Sequence, residues 1–131
     1  MHPISELLCE AYSDLARRDG IAFPLGAGNA KRIDSIVKTV YGGFYGTQRY
    51  PTDADKAAAF FYYIIKDHPV TDGNKRLAVL WLEIFCRSQG LTFTAPGRVG
   101  LDELAVSVER SDLSHDEAIA ALAAMLHTIR W

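Results

Sequence analysis

The chain has 131 residues, 49% of them apolar and 23% charged. That is the make-up of one globular domain, residues 1–131, and it excludes a disordered chain, a collagen and a coiled-coil rod. Fourteen basic residues against sixteen acidic leave a net charge of −2, so no field over the whole surface attracts nucleic acid or a membrane, and any anion-binding function must come from a local arrangement of charges.

Most of the sequence has helical period. Residues 5–17 place Leu7, Leu8, Tyr12 and Leu15 on one stripe. Gly20, Pro24, Gly26 and Gly28 mark a loop. Asn29 is the expected N-cap of a second helix, with Ile33, Ile36, Val37 and Val40 on its apolar side, and Gly42-Gly43 ends it. Residues 44–51 carry aromatics around Gly46 and are the best candidate for a small β-hairpin. Thr52 or Asp53 can cap a third helix bearing Ala57, Phe60, Phe61, Ile64 and Ile65. It should end near His68, because Pro69 disfavours the α conformation at the residue before it.

Asp72-Gly73-Asn74 is a turn. A fourth helix follows over residues 74–89, with the stripe Leu77, Leu80, Trp81, Ile84 and Phe85 and with Gly90 at the C′ position. Residues 94–100 read as loop and 101–109 as a fifth helix. Ser114 opens the sixth with Glu117 as a capping box, and the spacing carries it on through Ile119, Leu122, Leu126 and Ile129. There is no internal repeat or linker. The expected architecture is all-α: about six helices with at most one hairpin of strand.

Cys9 and Cys86 are far apart and read as reduced, mostly buried thiols rather than a disulfide framework. The N-terminus has no signal-peptide pattern, and the longest apolar run, residues 57–65, is far short of the roughly twenty residues a membrane span needs. A soluble cytoplasmic protein is expected. His2, His115 and His127 have no metal-ligand spacing and are expected at the surface or partly buried; Trp81 and Phe85 are expected in the core, with Tyr62 and Tyr63 divided between core and surface.

The chemistry concentrates in residues 68–76, His-Pro-Val-Thr-Asp-Gly-Asn-Lys-Arg. The first turn of a helix has unpaired N–H groups and a partial positive charge, so acidic residues belong there. Here Lys75 and Arg76 stand there instead, an arrangement that an anion would complete. Gly73 allows close backbone approach, the turn amides can form a nest for phosphate oxygens, and Arg76 can grip phosphate bidentately. Asp72 can hold a divalent cation together with substrate phosphates. His68 is of the residue type suited to a general base. On physics alone a merely solvated turn explains the same residues.

The segment resembles the core motif of the Fic/Doc family, His-x-Phe-x-Asp/Glu-Gly/Ala-Asn-Gly/Lys-Arg, at His68, Asp72, Gly73, Asn74, Lys75 and Arg76. The likeness extends over about residues 30–93, including a hairpin flap at residues 43–51 and the helix leading into the motif. It implies a Fic fold and a nucleotide-dependent enzyme that modifies a hydroxyl on a target protein. His68 would be the base and Asp72 would bind Mg²⁺ bridging the nucleotide phosphates of ATP or another nucleoside triphosphate. Gly73, Asn74 and Lys75 would shape the anion nest, with Arg76 on phosphate. Gly46, Thr47, Gln48, Arg49 and Tyr50 would hold the target segment by strand addition.

Two departures bear on the reaction. Val70 stands where the pattern has Phe, which implies weaker anchoring of the loop. Lys75 stands where AMP-transferring members have a second Gly, and Val79 where they have an Arg. In the Doc branch this goes with transfer of the γ-phosphate to a translation elongation factor, so phosphate transfer is favoured over AMP transfer, while Gly73 and Pro69 look more like the AMP branch. A binding module without activity is the third reading, disfavoured by the intact His68 and Asp72. No Ser or Thr has Glu four residues on, as the family's inhibitory helix does, so restraint is expected from a separate antitoxin chain or not at all.

Overall fold

The computed structural model describes residues 1–22, 24–93 and 98–128. In chain order these form α1 (Pro3–Asp19), α2 (Ala27–Tyr41), β1 (Gly43–Phe44), β2 (Thr47–Gln48), α3 (Asp53–Asp67), α4 (Asn74–Gln89), β3 (Leu91–Phe93), α5 (Arg98–Arg110), α6 (His115–Ala123) and β4 (Leu126–Thr128). The all-α architecture of six helices with a small hairpin is what the sequence leads one to expect.

α3 is the central element, packed by α2, α4, α5 and α6. Residues Ala57 through Phe61, Ile64 and Ile65 are all buried, because a helix apolar around most of its girth must be covered on all sides. Phe60 sits edge-on to Tyr41, Trp81 and Phe85, with centroids 6.1, 5.7 and 5.4 Å away. Each such pair contributes about 0.5–1.5 kcal/mol beyond area burial. The apolar run at residues 57–65 is thus core. No helix among the described residues is long and apolar enough to cross a membrane.

The helix ends show their causes. The Thr52 hydroxyl caps α3 by accepting from Asp55 N–H at 3.0 Å. Ser114 and Glu117 form the capping box of α6. Gly90 ends α4 at φ 69°. α2, however, begins at Ala27 with Gly26 as its cap, not at Asn29. Asn29 lies in the first turn, where its Oδ1 accepts from Gly26 N–H at 3.0 Å and its Nδ2 donates to Pro69 O at 2.9 Å.

Further differences concern packing and pairing. Leu7 and Ile84 sit on the expected apolar stripes but are exposed. α5 starts at Arg98, three residues before the expected Leu101; residues 94–97 of the expected loop lie outside the described residues. The sixth helix stops at Ala123. Leu126–Thr128 instead pairs antiparallel with Leu91–Phe93, Phe93 opposite Leu126 and Leu91 opposite Thr128. A short apolar run suits helix or strand alike, and here the strand left open after Gly90 supplies the partner. Ile129 lies outside the described residues.

Cys9 and Cys86 are free thiols, the second buried, and burial pushes the Cys86 thiol up to about 11.

Candidate active site at the turn between α3 and α4

His68 ends α3 in the left-handed conformation, φ 47° and ψ 61°. A non-glycine residue there costs about 1–2 kcal/mol, so the surroundings must hold it. Asn74 does so from the start of α4. Its Oδ1 accepts from Val70 N–H at 3.1 Å, and its Nδ2 donates to Val70 O at 2.8 Å and approaches His68 Nδ1 at 3.3 Å. Asn29 reaches Pro69 O from α2, and the Tyr12 hydroxyl donates to Asp72 O at 3.1 Å from α1. Burial raises the Tyr12 phenol, and the Asp72 charge adds to that, so it remains a donor. The smaller Val70 is itself buried, and its backbone is locked by Asn74.

Gly73 caps α4 at φ 89°. A Cβ there would stand 2.9 Å from Ile21 Cδ1, so both conformation and space select glycine. No side chain caps this end of α4 and no acidic residue lies in its first turn, which leaves the amide end open toward a cleft of about 290 Å³. That cleft is lined by His68, Asp72, Gly73, Asn74, Lys75 and Arg76, together with Ile65, Thr71 and Glu109. All six motif residues therefore meet in one place.

The cations are already paired. Lys75 Nζ lies 3.4 Å from Glu109 Oε2 on α5. Arg76 lies 3.2 Å from Asp19 Oδ2 and 3.9 Å from Asp72 Oδ2. Asp19 is held below the usual carboxylate value, first by its hydrogen bond from Arg18 and then by the charges of Arg18 and Arg76. Lys75, Glu109, Arg76 and Asp72 are about half exposed and Asp19 is less so; pairs open to solvent are worth about 0–1 kcal/mol, so a phosphate can displace them. Glu109, Asp19, Asn29 and Tyr12 join the site only through tertiary packing, and no local sequence pattern marks them.

The imidazole has two distinct nitrogens. Asn74 Nδ2 only donates, so its contact with Nδ1 is a hydrogen bond only in the neutral tautomer with the ring hydrogen on Nε2. A base acting through Nε2 needs the other tautomer. At 3.3 Å this is the longest of the Asn74 contacts, and releasing it leaves both bonds to Val70 in place.

No group of three or more metal-ligating side chains occurs among the described residues. The cleft has two carboxylates in its lining, Asp72 of the motif and Glu109, which is paired with Lys75; magnesium takes one or two carboxylates plus phosphate oxygens and water, so Asp72 is suited to it.

Gly46, Thr47, Gln48, Arg49 and Tyr50 do not line the cleft; they precede α3, whereas His68 follows it. Fifteen residues make α3 about 22 Å long. Tyr45 and Gly46, at φ 53° and 78°, form the tight turn, and a Cβ at Gly43 would collide with Thr47 O. Thr47, Gln48 and Arg49 are exposed, whereas Tyr50 is buried. The buried Lys56 donates to Tyr50 O at 2.6 Å and Gln48 Oε1 at 2.9 Å. The Tyr50 hydroxyl lies 2.8 Å from that of Tyr63, which lies 2.8 Å from His115 Nε2; His115 Nδ1 lies 2.9 Å from Asp116 Oδ1. Half-buried Tyr63 and His115 thus anchor the hairpin, a role with no signature in the sequence.

Comparison with known proteins shows the family. The model of the Fic/DOC family matches residues 5–86. The chain is 32% identical over 92 residues to the protein named Toxin Doc of Mycolicibacterium smegmatis, covering 70% of this chain and 71% of that one. No solved structure matches.

Proposed function

The chain belongs to the Fic/DOC family, and from that premise we propose that it is a toxin-type enzyme transferring the terminal phosphate of a nucleoside triphosphate to a hydroxyl of a target protein. The observation that carries this reading is the convergence of His68, Asp72, Asn74, Lys75 and Arg76 on one cleft at the open amide end of α4. Arg76 and Lys75 leave their carboxylate partners to hold phosphate oxygens, and the Gly73–Lys75 amides complete the nest. Asp72 would hold magnesium, which when bound neutralises phosphate charge and orients the phosphoryl group.

His68, in the tautomer with hydrogen on Nδ1, takes the proton of the acceptor hydroxyl at Nε2. The hydroxyl oxygen bonds to the terminal phosphorus, the bond from that phosphorus to the bridging oxygen breaks, and the nucleoside diphosphate leaves with that electron pair. The work done by the chain is positioning and charge neutralisation.

The hairpin's exposed edge can receive an extended target segment. At about 3.3 Å per residue, roughly seven residues of strand span the length of α3 from that edge to His68. Restraint by a separate antitoxin chain completes the reading.

The test is incubation with cell lysate and ATP labelled separately at the α and γ positions. Label from γ supports phosphate transfer. Label from α alone replaces it with AMP transfer, the reading favoured by Gly73 and Pro69. Silence from both, with His68→Ala equally silent, leaves a binding module. Expression of the wild type should arrest growth, and His68→Ala should relieve the arrest.

A further inference from the structure

The peptide unit that joins Pro69 to Val70 is pinned from two sides. Its N–H donates to Asn74 Oδ1 at 3.1 Å, and its carbonyl accepts from Asn29 Nδ2 at 2.9 Å. The two amides come from different helices, Asn74 from the start of α4 and Asn29 from the first turn of α2. The pyrrolidine ring fixes φ of Pro69 and leaves that residue without an N–H. With the next peptide plane also held, both backbone dihedrals of Pro69 are set. Pro69 and Val70 are buried, and His68 is attached directly to this rigid unit. The left-handed backbone of His68, φ 47° and ψ 61°, is one that a residue with a side chain disfavours, so the direction of the imidazole depends on how Pro69 is held.

Asn74 belongs to the nine-residue segment that carries the chemistry; Asn29 lies forty positions before Pro69. Its own bonds explain the residue type. Asn29 Oδ1 accepts from Gly26 N–H at 3.0 Å, the cap at the start of α2. That bond turns the amide so that its nitrogen faces Pro69 O. The position therefore needs an acceptor and a donor on one short side chain. Asp would accept at both atoms, and Gln would carry the amide one methylene too far. The start of α2 alone has no need of the donor. An acidic residue is favoured in a first helical turn, and α2 has none there. The donor half of Asn29 serves the turn after His68.

We propose that Asn29 is a positioning residue for His68: by fixing the Pro69–Val70 peptide plane it holds the imidazole at the cleft, and it ties the start of α2 to the reacting turn. The hydrogen bonds of Asn29 go to Gly26 and Pro69 and not to Asp72, Lys75 or Arg76, so it acts on the base and not on the phosphate groups. The inference rests on the reading of His68 as the base, but one of its two readouts needs no activity.

Asn29→Asp separates positioning from capping. It has the same shape, keeps the acceptor for Gly26 N–H and sets a carboxylate oxygen against Pro69 O. The first readout is amide exchange followed by NMR. The Val70 N–H should exchange at least tenfold faster in Asn29→Asp, while the amides of α2 exchange as in the wild type or more slowly. The second is transfer to cell lysate from ATP labelled at the position from which the wild type transfers. The rate at saturating ATP should fall at least tenfold, and the ATP concentration giving half that rate should change less than twofold. Asn29→Ala should lose as much rate and should also speed exchange at the start of α2. Val70 exchange or the saturated rate unchanged in Asn29→Asp overturns the proposal. Equal acceleration of exchange throughout α2 overturns it as well, because Asn29 would then serve the helix start. Silence of the wild type with ATP labelled at either the α or the γ position overturns the proposed function alone; faster Val70 exchange in Asn29→Asp then still supports the hold of Asn29 on the turn, and unchanged exchange overturns it.

Discussion

The side-chain amide of Asn74 closes a ring with the backbone of Val70, accepting from its N–H at 3.1 Å and donating to its carbonyl at 2.8 Å. Val70 and Asn74 are both buried, so neither backbone group has ready access to water if the amide is removed. Asn74→Ala should therefore destabilise the protein by about 2–4 kcal/mol, two unsatisfied groups at 1–3 kcal/mol each less some relaxation. Urea unfolding measures this. A loss below about 1 kcal/mol would mean that Asn29 and Tyr12 hold the turn without Asn74. Asn74→Asp keeps one acceptor but sets a carboxylate against the Val70 carbonyl, and it should lose nearly as much.

Gly73→Ala tests the other half of the turn. The family pattern admits Ala at this position, but here φ is 89° and a Cβ would press on Ile21 at 2.9 Å. A left-handed alanine costs about 1–2 kcal/mol before the contact is counted. Thermal unfolding should show that loss, and tripolyphosphate binding should weaken as the amide nest shifts. An unchanged midpoint with unchanged binding would show that the turn can move to negative φ at no cost.

The contrast between these residues and their supports shows what the sequence could reveal. The site's own members lie within nine consecutive positions, and a helix end, a turn and a helix start follow from Pro69, Gly73 and the stripe Leu77, Trp81 and Phe85. Ile33, Ile36, Val37 and Val40 are likewise all buried, because period 3.6 alone selects them. Glu109 comes from a helix more than thirty positions on, and Tyr63 meets His115 across fifty-two. Such pairings depend on how helices dock, which periodicity does not encode. The end of α6 was hidden for the same reason, since Leu126 fits the helical stripe until β3 is seen beside it.

Lys56 is buried, with its ammonium on Tyr50 O and Gln48 Oε1. Lys56→Met should leave that carbonyl unsatisfied, at about 1–3 kcal/mol, and free the hairpin. Tyr63→Phe removes the hydroxyl linking Tyr50 to His115. In both variants amide exchange over residues 43–50 should speed up about tenfold relative to α4. Equal acceleration of α4 would instead indicate general loss of stability.

Acid should weaken the contact between α1 and α2. Asp34 accepts from Ser5 Oγ at 2.7 Å, from Lys38 Nζ at 2.9 Å and from His2 N–H at 3.2 Å, and these bonds hold its carboxyl far below the usual value of 3.8. A carboxyl lowered by folding adds stability above its unfolded value, and that stability is lost as pH falls through the folded one. Stability should thus decline below about pH 4. Asp34→Asn should flatten that decline, as read by urea unfolding at pH 7 and pH 3. An equally steep decline in the variant would assign acid sensitivity to other carboxylates.

On the proposed function, Glu109 would compete with phosphate for Lys75. Its carboxylate, 3.4 Å from the ammonium, is the one acidic group that the described residues of α5 place in the cleft at the start of α4. Binding an anion at Lys75 requires that pair to part, and a half-exposed pair is worth about 0.2–1 kcal/mol. Glu109→Gln removes the competition and one like charge facing the phosphates. Tripolyphosphate and ATP should both bind about 1.4-fold to fivefold tighter, the affinity equivalent of that energy. The gain should shrink as salt is raised, because both charges are exposed. Lys75→Met should lose affinity in either background, and Glu109→Gln should add less to it than to the wild type, because only the like-charge repulsion is then relieved. Unchanged anion affinity in Glu109→Gln would show that Lys75 leaves Glu109 at no cost, and that Arg76 and the α4 amides set the strength of the site.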